Sequence, residues 1–116
     1  MCSHCGKVYM KESFMLALER LREACDFPFI ISSGYRCPDH NAAVSPATGR
    51  DGPHTTGYAA DVAVVGDKAY MVMAKAHMVG MTGVGLNQKG PHNQRFVHLD
   101  TLNESSTRPR PWVWTY

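Results

Sequence analysis

The sequence predicts an α+β domain, a small, mainly antiparallel sheet with helices packed on one side. Two segments repeat apolar residues at helical spacing, and shorter runs rich in β-branched and aromatic residues stand between turn signals. The helices between the strands differ in length and show no regular βαβ repeat, which argues against a parallel doubly wound sheet. At 116 residues the chain makes one domain, 1–116, with room for a core of its own. Its 12 basic and 10 acidic side chains leave a net charge of +2, too weak to single out nucleic acid as a partner. No apolar run approaches the roughly 18 residues that span a membrane. The N-terminus lacks the basic-then-apolar pattern of a signal peptide. A monomer is expected.

Residues 1–10 read as an arm without periodicity. Over 13–25, Phe14, Ala17, Leu18, Leu21, Ala24 and Cys25 recur at helical spacing, with Glu19, Arg20, Arg22 and Glu23 on the other side. Asp26 and Pro28 stop this helix, and 27–32 reads as a buried strand around Phe29, Ile30 and Ile31. Gly34 allows a sharp exit, and Pro38 suits the first turn of a short helix over 41–44. Residues 45–53 form a loop with two Pro and two Gly that delivers His54. A strand follows around 58–65, then a turn at Gly66 and Asp67, with Asp67 as the expected N-cap.

Between 67 and 79, Ala69, Tyr70, Met73, Ala76 and His77 trace a Met-rich helix closed by Gly80. Met71, Met73 and Met78 are expected as core filler and His77 as a packed histidine. A glycine-rich strand over 82–86, a hairpin-like loop over 87–93 and a strand over 96–102 complete the sheet, and Trp112, Val113 and Trp114 alternate as an edge strand would. Either indole suits a cleft wall or a core cap. The tail, 103–116, is expected to pack on the domain.

Chemistry concentrates at two places. His54-Thr55-Thr56-Gly57-Tyr58-Ala59-Ala60-Asp61 sets an imidazole and a carboxylate around a Gly that lets the backbone turn. Phe96-Val97-His98-Leu99-Asp100 supplies a second imidazole from an apolar run. Two imidazoles and one carboxylate are what a catalytic zinc ion takes from a protein, with water in the fourth position. Asp61 stands in a small-apolar run and His98 between Val97 and Leu99, where a charge is costly unless something compensates it. Arg36 follows the strand end, where its guanidinium fork suits a substrate carboxylate or a surface ion pair.

These residues, taken in order, resemble a known family. Ser33-Gly34-Tyr35-Arg36, His40-Asn41, His54 with Gly57 and Ala60-Asp61, Gly83-Val84-Gly85 and Phe96-Val97-His98-Leu99-Asp100 look like the successive motifs of the zinc D-alanyl-D-alanine carboxypeptidases, in their compact phage and bacterial branch. The resemblance covers roughly 13–102. It implies a hedgehog-like fold, Zn2+ held by His54, Asp61 and His98, substrate binding at Ser33 and Arg36, and cleavage of peptidoglycan stem peptides by a carboxypeptidase or an endopeptidase. It also implies action on the cell wall after export or release, as in phage lysis, or as a virion component. Several branches place an acidic general base three residues before the last zinc histidine. Here that residue is Arg95, which cannot accept a proton. Asp100, on the same strand face as His98, and His92, in the preceding loop, are the substitutes, with Asp100 preferred as the catalytic group.

Two other functions stay open on the residues. Cys37 before Pro38 has the placement of a Cys-His wall hydrolase nucleophile, and loss of the base would leave a wall-binding zinc module. Cys2, Cys5, Cys25 and Cys37 are compatible with a structural metal, with a disulfide joining the N-terminal arm to the body, or with free thiols, and the sequence does not choose.

Overall fold

The computed structural model describes residues 10–34 and 53–116. Helix α1, Glu12–Cys25, presents Phe14, Leu18, Leu21 and Cys25 inward and ends at Asp26, whose left-handed backbone (φ 61°) closes it through an N–H bond to the Arg22 carbonyl. On its solvent face Arg22 pairs with Glu19. Strand β1 is Ile31–Ser33, β2 Ala59–Val62, β3 Gly83–Asn87, β4 Phe96–Asp100 and β5 Trp112–Thr115. Helix α2, Gly66–Ala76, lies between β2 and β3 and runs on into a 3₁₀ turn, His77–Val79, closed by Gly80 at φ 93°. The strands are ordered β1-β2-β4-β3-β5, antiparallel except for β5, which joins β3 in parallel. The expected fold class, α+β with a mainly antiparallel sheet, is the one observed.

Alternation along the strands divides the sheet between two jobs. Ala60 and Val62 of β2 and Val97 and Leu99 of β4 join Phe14, Leu18 and Leu21 of α1 and Ala69, Val72 and Ala76 of α2 in one core. The residues between them face the other way. Register pairs Ser33 with Asp61, Asp61 with His98, His98 with Gly85 and Gly85 with Trp114, so these five form a row across every strand. The next row holds Ala59, Asp100, Gly83 and Trp112.

The glycines of β3 are required by those rows. A Cβ at Gly85 would come within 2.6 Å of the Trp114 indole, and one at Gly83 would overlap the Asp100 carboxylate. Both side chains occupy space that any larger residue would fill.

Several expectations are corrected. The strand expected to be buried at 27–32 is a short edge strand, with Ile30 and Ile31 exposed; Phe27 and Phe29 supply its core contact instead. An outermost strand is covered by a neighbour on one side only, so its apolar run marks β propensity rather than burial. On α2 the inward stripe is Ala69, Val72 and Ala76, and Tyr70 is exposed, because two alanines let the helix lie close to the sheet where a phenol would not fit. His77 begins the 3₁₀ turn, which rotates it off the stripe into solvent; it is not a packed histidine. Met78 is likewise exposed, while Met71 packs against the core. Asp67 makes no cap hydrogen bond: the N-cap is Val65, and Asp67 lies in the first turn near the positive end of the helix dipole. The helix expected over 41–44 and the N-terminal arm up to residue 9 lie outside the described residues, and Met10, the last residue of the expected arm, packs against the core.

Gly83→Ala should destabilise the fold by about 1–3 kcal/mol, the usual cost of forcing a methyl into packed space. A shift of the urea midpoint at unchanged slope measures it; an unaltered midpoint would mean that Asp100 can move.

Candidate metal centre

The turn that carries His54 is held by its own sequence. Pro53–Thr55 makes one 3₁₀ turn, the Thr56 N–H and hydroxyl both donate to the Pro53 carbonyl, and the Thr56 hydroxyl accepts from the Tyr58 N–H at 3.0 Å. Gly57, at φ 80°, then reverses the chain into β2, and its carbonyl accepts from the Lys11 N–H at 2.8 Å. His54 is thereby turned toward Asp61 and His98, which register already places side by side.

Three donor atoms meet. His98 Nδ1 lies 3.0 Å from Asp61 Oδ1 and 3.3 Å from His54 Nε2, and His54 Nε2 lies 3.2 Å from Asp61 Oδ1. A tetrahedral ion with bonds of roughly 2.0–2.1 Å holds its donors about 3.3 Å apart, so the triangle has the size of one face of such a site. All three residues are buried. Among the described residues this is the one His/Cys/Asp/Glu group that could hold a metal ion.

The outward nitrogens fix the protonation of the inward ones. His54 Nδ1 lies 2.8 Å from the Gly34 carbonyl, an acceptor with no proton to give, so the ring N–H must be there and Nε2 carries a lone pair. His98 Nε2 lies 2.8 Å from Asp100 Oδ2, so its N–H points there and Nδ1 carries the lone pair. Two lone pairs and a carboxylate oxygen therefore face one point in a buried setting, which repels unless a cation or an extra proton sits between them. The residues fit a divalent metal.

The chain belongs to the peptidase M15 family. The family model described as Peptidase M15 matches residues 2–100. Neither a curated protein nor a solved structure gives a match. M15 peptidases are metallopeptidases, in keeping with the His54, Asp61 and His98 cluster. Among the described residues, no helix is long and apolar enough to cross a membrane.

Around the M15 triad the charges are strongly biased. Burial works to raise the pKa of Asp61, yet the hydrogen bonds and positive charge that His54 and His98 bring once an extra proton enters the cluster outweigh it and hold the carboxyl well below the usual range. Asp100 has no solvent exposure; burial again opposes ionisation, and hydrogen bonds from His98 and Arg110 bring its pKa down to about 2. Arg110 grips both Asp100 oxygens, Nε to Oδ1 at 2.9 Å and Nη2 to Oδ2 at 2.8 Å, and the Leu102 N–H adds a longer bond to Oδ1. Trp114 lies against the His98 ring at a centroid distance of 5.1 Å, so this indole walls the site.

Of the other site residues read from the sequence, Ser33 shares the row of Asp61, and Arg36 lies outside the described residues. Arg95 is turned elsewhere: its Nε donates to the Gly90 carbonyl, and its side chain borders a cavity with Ala69, Leu86 and Gln88 on the helix-bearing side of the sheet. His92 is exposed and borders a different cleft, with Phe27, Pro28, Val64 and Lys68. Cys25 is a free thiol in the core, and burial pushes its pKa up, which suits packing rather than reactivity. Cys2, Cys5 and Cys37 lie outside the described residues. Arg110 is the residue that sequence reasoning missed: it sits in a polar, Pro-containing segment with no periodicity to link it to His98.

In the metal-free protein burial works to lower the pKa of His98, but the Asp100 and Asp61 carboxylates on either side win and raise it above the ordinary 6.5. An incoming ion must displace that proton, so affinity falls as pH falls, and the fall begins above pH 6.5. Competition titrations with Zn2+ from about pH 8 down to about pH 5.5 should show it. A dissociation constant that stays level until well below 6.5 would contradict the raised value.

Proposed function

We propose that this M15 peptidase is a zinc enzyme that hydrolyses peptidoglycan stem peptides, as a D-alanyl-D-alanine carboxypeptidase or an endopeptidase. The observation that carries the reading is the convergence of three lone-pair donors whose outward partners, the Gly34 carbonyl and Asp100, leave them free for a metal. The substrate class is supported by the ordered motifs from Ser33 to Asp100 that resemble the D-alanyl-D-alanine carboxypeptidases. The slightly basic net charge of +2 suits an anionic wall polymer.

His54, Asp61 and His98 hold the ion, three protein donors being the usual count in a catalytic zinc site. When bound, Zn2+ polarises a carbonyl and brings the pKa of water toward about 7. Binding and positioning fall to the chain. Arg36 receives the peptide carboxylate in its guanidinium fork, and Ser33, at the end of β1 in the row of Asp61, hydrogen-bonds the substrate beside it. Asp100 holds the His98 N–H and so keeps Nδ1 aimed at the ion; with both oxygens already engaged, it acts as a positioning group rather than as the proton acceptor. Trp114 limits water on that side of His98.

A second reading is favoured by one residue. Arg95 stands where several branches carry the base, which suits a wall-binding module that keeps the ion without turnover. Incubating the zinc-loaded protein with purified peptidoglycan separates the two: the enzyme releases amines or D-alanine, the module none. Insensitivity to a thiol-blocking reagent excludes a Cys37 nucleophile.

His54→Ala should abolish zinc binding and hydrolysis together, read by metal analysis and muropeptide mass spectrometry, and full activity after chelation would end the proposal. Arg36→Ala should lower kcat/KM for substrates with a free carboxylate about tenfold or more, and much less for those without one. A general base contributes about 10²–10⁴ in rate. His92→Gln should instead leave kcat within about twofold of wild type, and a loss of that larger size would restore His92 as the base.

A further inference from the structure

The family match ends at residue 100, yet the chain beyond it returns to the metal centre. β5 adds to β3 in parallel, with the Trp112 N–H donating to the Thr82 carbonyl and the Tyr116 N–H to the Leu86 carbonyl. That path sets Arg110 and Trp114 behind His98. The Arg110 fork takes both Asp100 oxygens, and one of them, Oδ2, also accepts the His98 N–H. The side chains of Arg110 and Asp100 are 5% and 0% exposed. The guanidinium also lies over the Trp114 ring at 5.1 Å, and that ring packs on His98 at 5.1 Å.

A carboxylate held at a single oxygen can swing about its Cβ–Cγ bond. Held in a fork it cannot turn Oδ2 away from His98 without breaking two bonds. We propose that Arg110 is a positioning residue of the metal centre: by locking the Asp100 carboxylate it fixes the ring of His98, so that the C-terminal segment completes the divalent-cation site. The inference rests on reading the triad as a metal site, and it assigns Arg110 a role through geometry rather than charge. The two roles differ in sign. A positive charge near a cation site opposes the ion, so if charge were all that mattered, removing Arg110 would tighten metal binding. If the fork positions His98, removing it weakens binding, and lysine, a point charge without a fork, does not rescue it.

The test is the affinity of the full chain for Zn2+, by chelator competition, together with the visible spectrum of the Co2+ form, which reports ligand geometry. Arg110→Lys and Arg110→Gln should each weaken Zn2+ binding about 10- to 100-fold, the usual size of an effect transmitted through a ligand's hydrogen-bond partner, and should change the Co2+ bands while far-UV circular dichroism stays that of wild type. Unchanged or tighter binding in Arg110→Lys overturns the proposal. Should a single variant leave Asp100 unpaired and fail to fold, the double variant Asp100→Asn with Arg110→Gln removes both charges; wild-type affinity and spectrum there overturn the proposal equally. Wild-type protein that binds neither ion would overturn the metal reading itself, an outcome distinct from metal-binding wild type with indifferent Arg110 variants.

Discussion

Three atoms that each offer an electron pair stand within 3.3 Å of one another in a buried place, and the rest of the fold answers that arrangement. Such a cluster raises the free energy of the folded chain until positive charge enters it. The local answer is directional: each imidazole is anchored by its far nitrogen, one to a main-chain carbonyl and one to a carboxylate, so neither can turn to relieve the repulsion. Asp100, brought inside for this purpose, poses a second charge problem, and Arg110 resolves it. The centre is a chain of compensated charges from the three donors outward to the guanidinium.

The sheet makes this chain possible. Antiparallel pairing of β2 with β4 puts Asp61 and His98 opposite each other without any loop having to aim them. Only His54 depends on a turn, and that turn is tied by Thr56 and Gly57. The adjoining strand contributes room rather than chemistry: Gly83 and Gly85 stand beside Asp100 and His98 so that a carboxylate and an indole fit where side chains would otherwise project. Strand β3 looks weak by composition, with little apolar bulk on one face. Its weakness is the space that the site occupies.

The triad and the fold class were legible in the sequence because both leave local signatures. His54 to Asp61 carries its own turn, His98 stands in a β-branched and aromatic strand, and the apolar period of α1 is regular. The errors have a common cause: periodicity reports which residues are apolar, not which neighbour covers them. Ile30 and Ile31 read as interior and lie on an edge; Tyr70 and Val72 exchange places because closeness of approach to the sheet, set by Ala69 and Ala76, decides the stripe. Arg110 was invisible since its partner lies ten residues away across a segment without pattern, in contact through tertiary structure alone. Asp100 was visible as a neighbour of His98, but whether its oxygens face water or an arginine is a matter of packing.

The hydrophobic core and the ligand row are written on the same strands in alternate letters. Ala60, Val62, Val97 and Leu99 take one parity, Asp61, His98 and Asp100 the other. Loss or gain of one residue within β2 or β4 would exchange the two sets, turning charged groups against α1 and α2 and aliphatic ones toward the place where the three donors meet. An insertion or deletion in such a chain is therefore compatible with both sets only in the connections, where it leaves the parity of each strand intact.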